Sequence, residues 1–136
     1  MAKISLDFEK LINYDSAENG ITIQTTLKLS EKSVSFPAKI DTGASFCIFE
    51  RKHGEQLGLE IESGLFQRIG TATGIFTCFG FRVNLETEGF EFDSLVYFAE
   101  NEFFNRNVLG RRGWLELVKL GLIDYEGKLF LSRYSD

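Results

Sequence analysis

Within "SFPAKIDTGASFCIFE", residues 35–50, an aspartate stands between two apolar runs. Phe36, Ala38 and Ile40 precede Asp41, and Phe46, Ile48 and Phe49 follow it. Burying a lone ionised carboxylate there would cost several kcal/mol, so the residue needs a reason to be present. A carboxylate carried by an apolar strand to a turn can hold and deprotonate a water, provided that a second group supplies the complementary proton. Thr42 offers a hydroxyl to neighbouring backbone, Gly43 tolerates dihedrals and close approaches that other residues do not, and the short Ala44 leaves the carboxylate accessible. The ordinary alternative is a turn or helix-capping aspartate.

Other chemistries find less support. Ser45 and the only histidine, His53, form no Gly-x-Ser-x-Gly elbow; Ser45 is expected to follow the turn structurally and His53 to be a surface residue of a following helix. Cys47 and Cys78 sit inside apolar runs and read as small core hydrophobes; two cysteines and one histidine supply neither a disulfide framework nor a zinc site. No metal or cofactor is expected. The remaining aspartates are Asp7, Asp15, Asp93, Asp124 and Asp136, and none is followed by Thr-Gly or Ser-Gly. Asp93 reads as an exposed strand residue and Asp124 as a strand–turn boundary. Phe103 and Phe104, in "NEFFNRN", are divided between substrate contact or exposure and plain packing.

The elements that must position Asp41 repeat with a period of two. "GITIQTTLKLS" places Ile21, Ile23, Leu27 and Leu29 on one face, and "VSFPAKI" alternates through Val34, Phe36, Ala38 and Ile40, so a hairpin leads to Asp41. Pro37, the only proline, marks an edge position or bulge. "ERKHGEQLGLE" reads as a short helix or turn, and residues 65–99 as two or three long strands. Gly70 and Gly74 bracket a hairpin tip, and Glu88-Gly89 the next turn. "RRGWLELVKLG" has Trp114, Leu115, Leu117, Val118 and Leu120 at helical spacing, stopped by Gly121; "GKLFLS" reads as a last strand after the "DYEG" turn.

At 136 residues, 43% hydrophobic and 26% charged, the chain has the size and composition of one globular domain. No apolar run approaches the ~18 residues of a membrane helix. The opening "MAKISLDFEKLINYD" has no secretory h-region, so a cytoplasmic protein without a membrane partner is expected. A net charge of -5 argues against a nucleic-acid partner, and the basic pairs Arg51-Lys52 and Arg111-Arg112 read as solvated surface.

These residues resemble the retropepsin-like aspartic proteases, single-lobe relatives of pepsin. The likeness lies in Asp41-Thr42-Gly43-Ala44-Ser45 after a hydrophobic strand, in the hairpin of Gly70 to Gly74 where the family carries its flap, and in "NVLGRRGW", residues 107–114, where two hydrophobics and a glycine precede a helix. It covers about residues 20 to 131, with 1–19 an N-terminal extension to a single domain spanning 1–136. The resemblance implies a mostly β fold, a closed β-barrel with one or two short α-helices. It implies an aspartic endopeptidase acting on peptides or proteins as a homodimer, because one chain supplies one such aspartate. Asp41 would be the catalytic carboxylate and Thr42 would bond across the dimer axis. Gly43 would accept a hydrogen bond from substrate backbone, and Ala44 would permit activity nearer neutral pH than pepsin's. Gly70, Thr71, Ala72, Thr73 and Gly74 would close over a substrate bound as an extended strand. Leu109 and Gly110 would pack beneath the active-site loop. In the viral members, short termini stitch the dimer; the extension and the polar end "SRYSD" depart from that pattern. The alternative function is a non-proteolytic binding or dimerisation module on the same fold.

Overall fold

A computed structural model describes residues 1–134; Ser135 and Asp136, the end of the "SRYSD" run, lie outside the described residues. β2 (Thr22–Leu29) and β3 (Lys32–Ile40) form the antiparallel hairpin that alternation requires, with Thr22 opposite Lys39 and Leu29 opposite Lys32. Ile23, Thr25 and Leu27 turn inward, while Thr22 and Gln24 face solvent. Along β3, the Ile40 N–H donates to Ile21 O and the Lys39 N–H to Asn107 O, so odd-numbered amides face away from β2. Pro37 is odd-numbered, and the neighbouring strand on that side reaches only Lys39 and Ile40. The donor that proline lacks would therefore have pointed at an open edge.

β4 (Ile48–Phe49) follows the Asp41 loop, and α1 (Arg51–Gln56) follows β4. β5 (Leu65–Thr71), β6 (Gly74–Thr87) and β7 (Phe90–Ala99) form a meander. The β6–β7 turn has only Glu88 and Gly89, at φ 50° and 85°, both left-handed as a tight primed hairpin turn demands. β8 (Val108–Leu109) is inserted between β3, to which it is parallel, and β4, to which it is antiparallel. The sheet order is β2-β3-β8-β4-β7-β6-β5, and a further β2–β6 pairing joins the ends of the first six strands into a closed ring. A core including Leu27, Phe49, Leu85, Val96, Phe98 and Trp114 fills that ring.

A second sheet, in the order β1-β10-β9, joins β1 (Lys10–Asn13), β9 (Val118–Ile123) and β10 (Lys128–Arg133). β1 lies within residues 1–19 and pairs along β10 from Lys10–Leu131 to Asn13–Lys128.

Three expectations are corrected. The helix read from Trp114 to Leu120 is a single 3-10 turn, Leu115–Leu117, followed by strand β9. Val118, Leu120 and Leu122 also alternate, Gly121 is a poor helix former, and β10 offers six paired positions, so tertiary pairing overrides the local pattern. Trp114 is fully buried, its Nε1–H donating to Thr87 Oγ1 at 3.0 Å. His53 is not on the surface. It is 6% exposed and stacks on Phe36 at 4.0 Å between ring centroids, because α1 packs on β3. Burial holds its pKa below the usual value, partly offset by Glu50, whose Oε2 lies 3.3 Å from Nε2. Arg51 is likewise no free surface cation: it pairs with Glu55 and Glu62 and donates to Glu100 O.

Candidate active site

Three chain segments converge on Asp41. β3 delivers it, and β8 holds it from the side, Leu109 O accepting the Asp41 N–H at 3.0 Å. The turn closes on itself, with Asp41 O accepting from the Ala44 N–H at 3.1 Å and Oδ1 from the Gly43 N–H at 3.0 Å. The segment after β8 then fastens the outgoing side: the Arg111 N–H donates to Ala44 O at 2.8 Å and the Arg112 N–H to Ser45 O at 2.9 Å. Asp41 is thus fixed by backbone on both flanks. Its carboxylate is half-buried at a cleft, which removes the cost of full desolvation.

Leu109 is 1% exposed and Gly110 lies directly under the loop. A Cβ at Gly110 would sit 2.2 Å from Phe46 O and 2.9 Å from Ala44 O, so only glycine fits. Gly43 is different. Its φ is not left-handed, and a Cβ there would meet Asp41 Oδ1 at 3.4 Å, an ordinary contact. Glycine at 43 therefore leaves space above the loop rather than serving a special dihedral. Thr42 is exposed, and its hydroxyl makes no hydrogen bond among the described residues.

The Gly70–Gly74 hairpin stands over this loop. Thr71 pairs with Gly74, leaving Ala72 and Thr73 as the tip; Thr71 Oγ1 donates to Gly74 O at 3.1 Å and accepts from the Thr73 N–H at 3.3 Å. All five residues are exposed. Between hairpin and loop lies a cleft of about 470 Å³, lined by Asp41, Gly43 to Phe46, Ile48, Arg68 to Ala72, Phe104, Arg106 and Val108. Of the residues singled out in the sequence, Asp41, Gly43, Ala44 and the hairpin's Gly70, Thr71 and Ala72 line this cleft; Thr73 and Gly74 do not, and Leu109 and Gly110 lie beneath the loop.

Phe103 and Phe104 part company: Phe103 is 81% exposed, whereas Phe104 is buried against Phe76 of β6 at 5.1 Å and lines the cleft. Cys47 does more than fill space. Its Sγ accepts the Gly110 N–H at 3.4 Å and donates to Arg112 O at 3.6 Å, and burial pushes its pKa up to about 12, so it braces the loop as an inert thiol. Cys78 is also buried, its pKa likewise raised to about 12 by desolvation. Arg68 and Arg106 carry no motif, and only the fold brings them to the cleft. Among the described residues, no group of three or more His, Cys, Asp or Glu is placed to hold a metal ion.

Two solved structures share this architecture. A retropepsin-like aspartic protease from Rickettsia conorii aligns with a TM-score of 0.66 and 19% sequence identity, over 90% of this chain and 97% of that one. The EIAV protease, complexed with the inhibitor HBY-793, aligns with a TM-score of 0.55 and 19% identity, over 74% of this chain and 88% of that one. No family model and no curated protein matches the sequence.

Proposed function

We propose that this chain, whose fold is that of the retropepsin-like aspartic proteases, is an aspartic endopeptidase completed by a second copy of itself. The observation that carries the reading is a backbone-anchored, solvent-reaching Asp41 in a cleft roofed by a hairpin. Asp41 is the only carboxylate lining that cleft among the described residues, so the second acid comes from the partner. Residues 20–131 form the catalytic core.

Two Asp41 carboxylates about 3 Å apart would repel by about 5 kcal/mol at an effective dielectric of ~20, equivalent to roughly 3–4 pK units. The pair therefore shares one proton over a wide pH range. The ionised member takes a proton from the attacking water while the protonated member hydrogen-bonds the scissile carbonyl. A tetrahedral diol forms without a covalent intermediate. Thr42, exposed and unbonded, is free to bridge to the partner's loop. The opening over Gly43 admits substrate backbone, whose extended strand the 70–74 hairpin would cover.

β10 is flanked by β1 and β9, so a partner strand extending this sheet would add at the outer edge of β1 or β9. The incompleteness of one chain also leaves room for a second reading, a non-proteolytic module on the same fold.

Sedimentation paired with cleavage of a peptide library, wild type against Asp41→Asn, separates the two. The protease reading expects a dimer whose cleavage is lost in Asp41→Asn and blocked by a statine-type diol mimic. A strictly monomeric protein that cleaves nothing from acid to neutral pH, across about pH 4 to pH 7, refutes it.

A further inference from the structure

The chain is acidic, with 20 Asp and Glu against 15 Lys and Arg, yet its cleft is not. The charged residues lining the cleft are Arg68, Arg106 and Asp41, so each half-site carries one net positive charge. Arg68 lies on β5 at the base of the hairpin, and Arg106 lies two residues before β8. Both are exposed, and among the described residues neither has a carboxylate within 4.0 Å. Three other arginines are paired, Arg51 with Glu55 and Glu62, Arg82 with Asp93 and Arg112 with Glu116, whereas Arg111 and Arg133 lie outside the cleft and, among the described residues, also have no carboxylate within 4.0 Å. Two guanidinium groups without partners thus face a wall otherwise made apolar by Phe46, Ile48, Ile69, Phe104 and Val108.

We propose that this cleft selects peptides with an acidic side chain beside the scissile bond, Arg68 and Arg106 being the specificity-determining residues. The inference rests on the protease reading above and names its substrate class. A planar guanidinium offers paired donors that match a carboxylate. In an extended substrate, alternate side chains point to opposite sides, so one can enter the apolar wall while its neighbour meets an arginine. The single negative charge of a proton-sharing dyad would repel a substrate carboxylate, but the two arginines of each half-site outnumber it. Closure of the hairpin would bring Arg68 over the bound peptide.

The test uses the full chain and peptide sets identical except for Glu, Gln or Lys at each position flanking the cleaved bond. An exposed ion pair changes binding about two- to fivefold, so two arginines give a Glu-over-Gln preference in kcat/KM of about four- to twenty-five-fold. The preference should fall toward one in R68Q/R106Q and turn toward Lys in R106E. It should also shrink between about 0.15 M and 1 M salt as the Debye length drops from about 8 to 3 Å. Cleavage of Glu and Gln peptides at equal rates overturns the inference and leaves the protease reading standing. Binding of the same peptides, with the scissile amide reduced, is measured in parallel by calorimetry. Arginine-dependent binding of Glu peptides with no cleavage of any peptide supports the selection and overturns the protease reading. Absence of both binding and cleavage overturns both.

Discussion

Replacing Gly110 by alanine perturbs the site from below, through the backbone of Ala44 and Phe46, while every cleft-lining side chain is kept. The new Cβ would sit 2.2 Å from Phe46 O, 2.7 Å from Phe46 C and 2.9 Å from Ala44 O. All three are backbone atoms, so no side chain can swing aside. The two segments must separate by roughly 1 Å in an interior packed too tightly to absorb it. Overpacking of this kind costs about 1–3 kcal/mol. The same separation stretches the bonds from Arg111 to Ala44 O (2.8 Å) and from Arg112 to Ser45 O (2.9 Å), worth about 1 kcal/mol each. The expected loss is about 3–5 kcal/mol, a large share of a typical ~5–15 kcal/mol, or roughly 10–15 °C in Tm. Urea unfolding of Gly110→Ala beside Gly70→Ala measures it. At Gly70 a Cβ meets nothing within 4 Å and φ is not left-handed, so that variant should match or slightly exceed wild-type stability. Gly110→Ala unfolding within about 0.5 kcal/mol of wild type, the range of an ordinary surface substitution, would refute the argument.

Thr42→Ala should leave the monomer within about 0.5 kcal/mol of wild type, since its hydroxyl bonds nothing among the described residues, while weakening the proposed dimer in sedimentation; an unfolded variant contradicts this. Thr87→Val orphans the Trp114 indole N–H in a fully buried setting and should cost about 1–3 kcal/mol in chemical denaturation. His53 gives a pH signature. Burial lowers its folded pKa below the ordinary imidazole value of about 6.5, so the unfolded chain protonates first and binds more protons as the pH falls. Its contribution is complete above the unfolded pKa and is lost as pH drops through about 6.5 toward the folded value. His53→Leu should therefore lose less Tm than wild type between neutral and mildly acidic pH, and equal slopes would rule out the assignment.

Much of the scaffold was legible because short-range patterning carried it. Ile23 and Leu27 alternate in sequence and are buried in β2, and Glu88-Gly89 sits where a two-residue turn needs left-handed backbone. Asp41-Thr42-Gly43 stood out because an acid between apolar runs is costly unless it is used. Other features were hidden for identifiable reasons. The apolar spacing from Trp114 to Leu120 fits either a helix or a strand, and only pairing with β10 settles it. His53 lies in a polar stretch whose burial depends on α1 packing against Phe36 of β3. Arg68 and Arg106 are unremarkable in isolation, and their shared cleft exists only after β5 and the segment before β8 meet.

The sequence alone determined most of the elements and the candidate acid: period-two strands, glycine-marked turns and one Asp-Thr-Gly, all properties of neighbouring residues. Tertiary structure decided what surrounds that group. β8, about 65 residues after the loop in sequence, slots between β3 and β4 and clamps Asp41 from a distance that local patterns do not encode. The same long-range pairing sets the charge of the cleft, the depth of Cys47 and the requirement for glycine at 110. Contacts between remote residues are selected by burial and hydrogen bonding over the whole ring, and no single stretch of chain contains that information.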